Sequence, residues 1–188
     1  MLTLDKIYHA AYVLRDVVRK TDLILAPHLN PDCELYLKTE NLQTTGSFKV
    51  RGAYYKISQL SDEDKSKGVV KGVYDDAYQK ACELQQESGS TFIHPFNDED
   101  VIAGQGSIGL ELLDQLPELD AVIVPIGGGG LIGGVAFAIK SLRPECKVYG
   151  VQAVGAPSMY NSVRHHHVET LDYVSTIADG IAVKQPGD

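Results

Sequence analysis

Lys49 sits in the run Thr45-Gly46-Ser47-Phe48-Lys49-Val50-Arg51-Gly52-Ala53. A Gly-Ser turn and an aromatic precede it, and a helix opens there, so the lysine is held rather than left in solvent. A held, partly desolvated lysine gives up part of its preference for the charged form and can attack a carbonyl. Far downstream stands its complement, Gly127-Gly128-Gly129-Gly130, after an apolar strand and before a helix. Backbone N–H groups at such a turn, with the helix dipole behind them, cradle a phosphate without side chains. Four consecutive glycines lose more backbone entropy on folding than a plain turn requires. A carbonyl-attacking amine and a phosphate cradle together point to an aldehyde cofactor with a phosphate handle, pyridoxal phosphate.

Plainer readings stand beside these. Lys49 could be a solvated helix lysine, and the glycine run a tight turn that holds nothing. Arg51 reads either as a source of positive field or as a surface residue, while Gly52-Ala53 would allow close helix packing. Gly128-x-Gly130-x-x-Gly133 also matches a dinucleotide fingerprint, which wants an acidic residue at the end of the next strand. That strand ends Gly150-Val151-Gln152, and glutamine does not fill the role. A second match, Gly104-x-Gly106-x-x-Gly109, reads as a helix-opening turn. Asp62-Glu63-Asp64 and Asp98-Glu99-Asp100 read as helix starts favoured by the dipole. His165-His166-His167 are adjacent, so their side chains diverge and suit a solvated loop better than a metal.

The elements that would position these residues alternate. An apolar stripe over 4–19, capped by Thr3, predicts a helix. Leu35–Lys38 reads as a strand, and Ser47 caps a helix running to about Leu60. A helical turn from Ser61, a strand at 67–70, a helix at 74–87 and a strand at 91–94 follow. Ile102–Leu116 reads as a helix and Ala121–Ile126 as a parallel strand buried on both faces. A helix over 131–142 and a strand over 148–151 complete the series. Alternating strands and helices predict an α/β fold with a parallel sheet and right-handed crossovers. One place breaks the pattern: Val70 runs into Lys71-Gly72-Val73-Tyr74 without the dozen or so residues a parallel crossover needs.

The chain has 188 residues, 44% hydrophobic and 22% charged, as expected of a globular protein with a real core. A net charge of −8 disfavours nucleic acid and anionic membranes as partners. Cys33, Cys82 and Cys146 are sparse and lack metal spacing, so they read as free thiols in a reducing cytoplasm. The N-terminal residues lack the apolar run of a signal peptide, and no stretch has the length of a membrane helix.

The run from Lys38 through Ala53 resembles the lysine motif of the threonine dehydratases (threonine ammonia-lyases), fold-type II pyridoxal phosphate enzymes. Three further segments agree in order: His94-Pro95-Phe96-Asn97-Asp98 through Ser107, Pro125-Ile126-Gly127-Gly128-Gly129-Gly130-Leu131, and Thr176 through Val183. The likeness is closest to the short, catabolic type. It implies a three-layer parallel sheet of the tryptophan synthase β-like kind. Residues 1–40 and 89–188 would form a large cofactor-binding domain, and 41–88 the remnant of a small substrate domain. It implies that Lys49 forms the internal Schiff base and acts as the base at Cα, with Phe48 beside the ring. Gly127, Gly128, Gly129 and Gly130, with Leu131, would hold the phosphate, and Gly180 would lie near the ring through its backbone. The activity implied is deamination of L-threonine to 2-oxobutanoate and ammonia, or of L-serine to pyruvate, by a cytoplasmic homo-oligomer, a dimer or tetramer.

The sequence departs from the family pattern in two respects. The Ser-x-Gly-Asn-His segment that grips the substrate carboxylate is missing after Val70, as are the elements that follow it in the family. The portion bearing the partner of the pyridine nitrogen would lie beyond Asp188. Weak or no turnover is therefore expected, with cofactor attachment preserved. Two alternatives are a non-catalytic cofactor-binding remnant that pairs with a longer relative, and a nucleotide-binding α/β module.

Overall fold

The computed structural model of the chain describes residues 1–70 and 75–188, without the side chains of 75–79. Residues 71–74, where the crossover is expected to be missing, lie outside the described residues. Helix α1 spans Leu4–Leu14, with Thr3 as N-cap accepting from the Lys6 N–H at 3.2 Å. It ends five residues short of the expected stripe, where Val17 and Val18 turn back onto the Leu14 carbonyl. Strand β1 (Leu23–Leu25), not anticipated, pairs antiparallel with β2 (Tyr36–Lys38). Its three residues are too few for a readable alternation.

Helix α2 (Lys49–Gln59) begins one residue later than a Ser47 cap implies. Phe48 occupies the N-cap, and the Ser47 Oγ accepts from the Lys49 N–H at 3.2 Å. Helix α3 (Asp62–Lys67) is capped by Ser61. Strand β3 (Val69–Val70) pairs in parallel with β4 (Thr91–Phe92), with α4 (Asp75–Ser88) between them in the chain, so the chain after Val70 does return through a helix of crossover length, contrary to the expectation from the sequence. Helix α5 (Glu99–Gln115) starts three residues earlier than expected, because Asp98 Oδ1 accepts from the Asp100 and Val101 N–H groups.

Strand β5 (Ala121–Pro125) pairs in parallel with β6 (Lys147–Val151) through α6 (Gly130–Leu142). The parallel α/β character is as anticipated, and the β1–β2 hairpin is an addition to it. The double burial expected of β5 does not hold. Val124 is 4% exposed, whereas Ile123, on the opposite face, is 61% exposed. Helix α7 covers Ser158–His165, so the first histidine of the triplet ends a helix rather than lying in a loop. Among the described residues no helix is long and apolar enough to cross a membrane, and no group of side chains could hold a metal.

Helix α5 is the spacer that sets the geometry. Gly104, Gly106 and Gly109 lie inside it and are buried, not in an opening turn as the sequence implied. A Cβ on Gly104 would fall 2.6 Å from the Arg51 carbonyl oxygen and from the Gly52 Cα, so α2 packs on that point backbone to backbone. On the other side, a Cβ on Gly134 of α6 would overlap the Ile102 carbonyl and lie 2.6 Å from the Gly106 nitrogen. Side chains at either contact would push the helices apart. One apolar cluster (Ile7, Ala10, Leu14, Tyr55, Ala103, Ala138) seals α1 and α2 to this spacer. A second (Ile108, Leu112, Val124, Val135, Ile139, Cys146) joins it to β5 and α6. Fully burying each large apolar side chain contributes about 1.5–3 kcal/mol.

Candidate active site

Because α2 and α6 both lie tightly on α5, their N-terminal ends open onto one pocket. Phe48, Lys49 and Ala53 enter it from α2, and Val101 and Gln105 from α5. Gly127, Gly128, Gly129, Gly130 and Leu131 line it from the start of α6, and Gly180, Ile181 and Val183 from the C-terminal segment. Every residue singled out in the sequence as a site candidate therefore faces the same space. Lys49 is exposed at the pocket, not partly desolvated as expected. It stands at the first position of α2.

The glycine loop is shaped for close approach. Gly129 is the N-cap of α6 at φ +104°, a conformation that side-chain-bearing residues rarely adopt. A Cβ on Gly128 would overlap the Phe96 ring, and one on Gly130 would lie 2.9 Å from the Phe96 Cα. No side chain caps α6, and its first turn carries no acidic residue. Its leading N–H groups thus lack side-chain acceptors, the donor set that an anion takes up.

Phe96 owes its place to His94. The His94 Nδ1 accepts from the Asn97 N–H at 3.0 Å and the Phe96 N–H at 3.4 Å, and the two rings meet edge-on at 4.6 Å. Burial pushes the His94 pKa below its ordinary value, with Asp188 and Asp98 opposing. The neutral ring is the form that can accept at Nδ1. His94 has no turn-forming role in the sequence reading, although its backbone partners lie only two and three residues further along the chain.

Arg51 is neither a surface residue nor a source of open field: it is fully buried. Its Nε and Nη2 donate to the two Glu40 oxygens, both at 2.9 Å. Nη1 and Nη2 donate to the Glu111 oxygens at 2.7 and 3.0 Å, and Nη1 also to Ser107 Oγ at 3.1 Å. Burial alone would raise the Glu40 carboxyl, but its bonds from Arg51 and Thr21 hold it below the usual range. The close α2–α5 contact at Gly52 and Gly104 brings the guanidinium within reach of Glu111. Arg51 thereby fixes the first turn of the helix that begins with Lys49.

The residues present suit pyridoxal phosphate on two observations. The Phe96-backed glycine cradle has room for no Cβ at Gly128 or Gly130. In the same pocket, Gln105 Oε1 is buried without a hydrogen-bond partner among the described residues. The dinucleotide alternative fares worse. Gln152 is occupied internally, donating to the Ile126 carbonyl at 3.2 Å and accepting from the Tyr160 N–H at 2.8 Å.

Comparison with known proteins agrees. The family of pyridoxal-phosphate dependent enzymes matches residues 14–73 and 69–188, two stretches that meet where the crossover was expected to be missing. The chain is 42% identical to an L-threonine ammonia-lyase of Thermotoga maritima, an alignment covering 100% of this chain and 59% of that one. It therefore spans about three-fifths of that relative's length. The alignment runs over 238 positions against 188 residues here, so about 50 positions of the relative have no counterpart. Among solved structures, a maize serine racemase superposes with a TM-score of 0.93 at 30% identity, over 100% of this chain and 72% of that one. The processed form of threonine deaminase isoform 2 from Solanum lycopersicum gives 0.86 at 32% identity, over 98% and 66%.

Proposed function

The chain belongs to the pyridoxal-phosphate dependent enzymes, with their fold-type II α/β architecture, and we propose that its pocket is built for β-elimination from a small hydroxy-amino acid. L-Threonine would give 2-oxobutanoate and ammonia, and L-serine pyruvate and ammonia. The observation that carries this reading is the convergence of Lys49 and the four-glycine loop on one pocket.

The roles follow from position. Gly127–Gly130 and the first turn of α6 would hold the cofactor phosphate through backbone N–H groups. Leu131, Phe48 and the backbone of Gly180 would bound the ring, and the Phe96 wall would keep water from the loop. Lys49 Nζ would carry the cofactor and, once displaced by the amino group of the substrate, take the proton from its α-carbon. Pyridoxal phosphate, when bound, supplies the electron sink that makes that proton removable. Residues 1–40 with 89–188 would serve as the cofactor domain and 41–88 as the remnant of the substrate domain. A cytoplasmic homo-oligomer fits the reading.

Turnover by this chain should be weak. The segment expected to grip the substrate carboxylate would fall among the positions of the Thermotoga maritima relative that have no counterpart here, and loss of orientation alone costs orders of magnitude in rate. A second reading, interconversion of serine enantiomers, is favoured by the likeness to the maize serine racemase. The deciding experiment is incubation with pyridoxal phosphate, borohydride reduction and peptide mapping, with the intact mass recorded alongside. A label confined to Lys49 supports the assignment. Labels scattered over surface lysines would sink it. Chiral analysis of serine incubations then separates elimination from racemisation.

A further inference from the structure

Residues 183–188 form a strap that ends on the glycine loop and is tied down along its length. Ser158 Oγ donates to the Val183 carbonyl at 2.9 Å, and the Leu171 N–H to the Lys184 carbonyl at 3.0 Å. Pro186 is buried, and its ring fixes the backbone there. The Gly187 N–H then donates to the Gly128 carbonyl at 2.8 Å. Asn97, held by His94, closes over this bond. Its Nδ2 donates to Asp188 Oδ1, and a Cβ on Gly187 would overlap its Oδ1. The accepting carbonyl fixes more than itself. The Gly128–Gly129 peptide is trans and planar, so the Gly129 N–H points the opposite way, away from Gly187. Gly128 and Gly129 line the pocket, whereas Gly187 does not. Among the described residues nothing accepts from the Gly129 N–H.

We infer that Gly187 is a positioning residue for the anion cradle: its N–H holds the Gly128 carbonyl back and so keeps the Gly129 N–H turned into the pocket, toward a phosphate. This rests on the reading of the loop as a phosphate site. Gln105, 3% exposed with its Oε1 unpartnered among the described residues, independently marks the same pocket as built for a polar ligand. A run of glycines has no side chains to settle the direction of its own peptides. Left free, the Gly128–Gly129 peptide would lose that freedom only when an anion binds. The strap removes it beforehand, and affinity for the phosphate gains accordingly.

The test is a pair of titrations on the intact, cofactor-free chain, one with pyridoxal phosphate and one with pyridoxal. Each is followed by borohydride reduction, and Lys49 labelling is read by peptide mapping. Both aldehydes can react with Lys49, but only the first carries a phosphate, so the ratio of their half-saturating concentrations reads the cradle alone. Gly187→Pro removes the N–H. Gly187→glycolate, a backbone ester, removes it without adding a side chain and stands in should the proline variant not fold. In either variant the half-saturating concentration of pyridoxal phosphate should rise about tenfold or more, as loss of one charge-assisted hydrogen bond implies, while that of pyridoxal stays. A ratio unchanged from wild type, whether neither titration moves or both move equally, overturns the inference and leaves the cofactor reading intact. A wild-type chain that takes both aldehydes at the same concentration, or neither at Lys49, has no phosphate cradle, and removes that reading and the role of Gly187 together.

Discussion

Replacing Arg51 by methionine tests the idea that a buried ion cluster anchors the start of α2. The guanidinium has zero exposure, and its carboxylate partners are nearly covered, at 12% for Glu40 and 16% for Glu111. Methionine fills comparable volume but leaves both carboxylates without their shared cation. Glu40 would keep only its bond from Thr21, at 2.6 Å, and Glu111 only Lys38, also at 2.6 Å. Removing one partner of a buried pair costs about 3–5 kcal/mol. The remaining Lys38 contact and slight exposure place the expected loss near the lower end, about 3 kcal/mol. Against a typical total of about 5–15 kcal/mol, urea unfolding followed by circular dichroism at pH 7 would register that easily. The pH dependence has a definite sign. Glu40 is held below its ordinary value in the folded chain, so its contribution is present above the unfolded carboxylate range and lost as pH falls through the folded value. The gap between wild type and variant should therefore narrow in acid. Arg51→Lys should restore little, since a single ammonium cannot bridge two carboxylates bidentately. A loss below about 1 kcal/mol at pH 7, the size of a surface pair, would refute the anchoring role.

Three other outcomes are expected. Gly104→Ala drives a methyl into the Arg51 carbonyl and the Gly52 Cα, each 2.6 Å away, and should destabilise the chain by about 1–3 kcal/mol in urea; unchanged stability would mean that the helix contact yields freely. His94 has a lowered pKa, so the unfolded chain takes up its proton first, and stability should decline as pH falls from about 6.5 toward the folded value. The decline should flatten in His94→Gln, and an equal slope in both proteins would argue against it. Cys33 is exposed, whereas Cys146 is buried and burial pushes its thiol up, so an aromatic disulfide reagent should modify Cys33 first and Cys146 only on unfolding; early reaction at Cys146 would show an opening of the second apolar cluster.

Local chemistry made much of this protein legible in its sequence. Thr3, Ser61 and Asp98 announce helix starts because a capping oxygen acts within three residues. The four glycines and Lys49 stand out as a candidate anion cradle and a candidate reacting amine because few other tasks need such residues in such runs. The order of strands and helices gave the α/β class for the same reason: period and punctuation are local. What lay beyond reach depends on distant contacts. Gly104, Gly106 and Gly109 mimic a loop fingerprint in sequence, yet they serve as seats for two helices whose approach no local rule announces. Arg51 looks ordinary until Glu40 and Glu111, 11 and 60 residues away, close around it. The unpartnered oxygen of Gln105 is visible only once burial is known. The sequence by itself determined which groups could react and where helices begin. Only the tertiary structure decided that α5 would bring Lys49 and the glycine loop to one pocket, because side-chain burial and interhelical distance are properties of the packed chain.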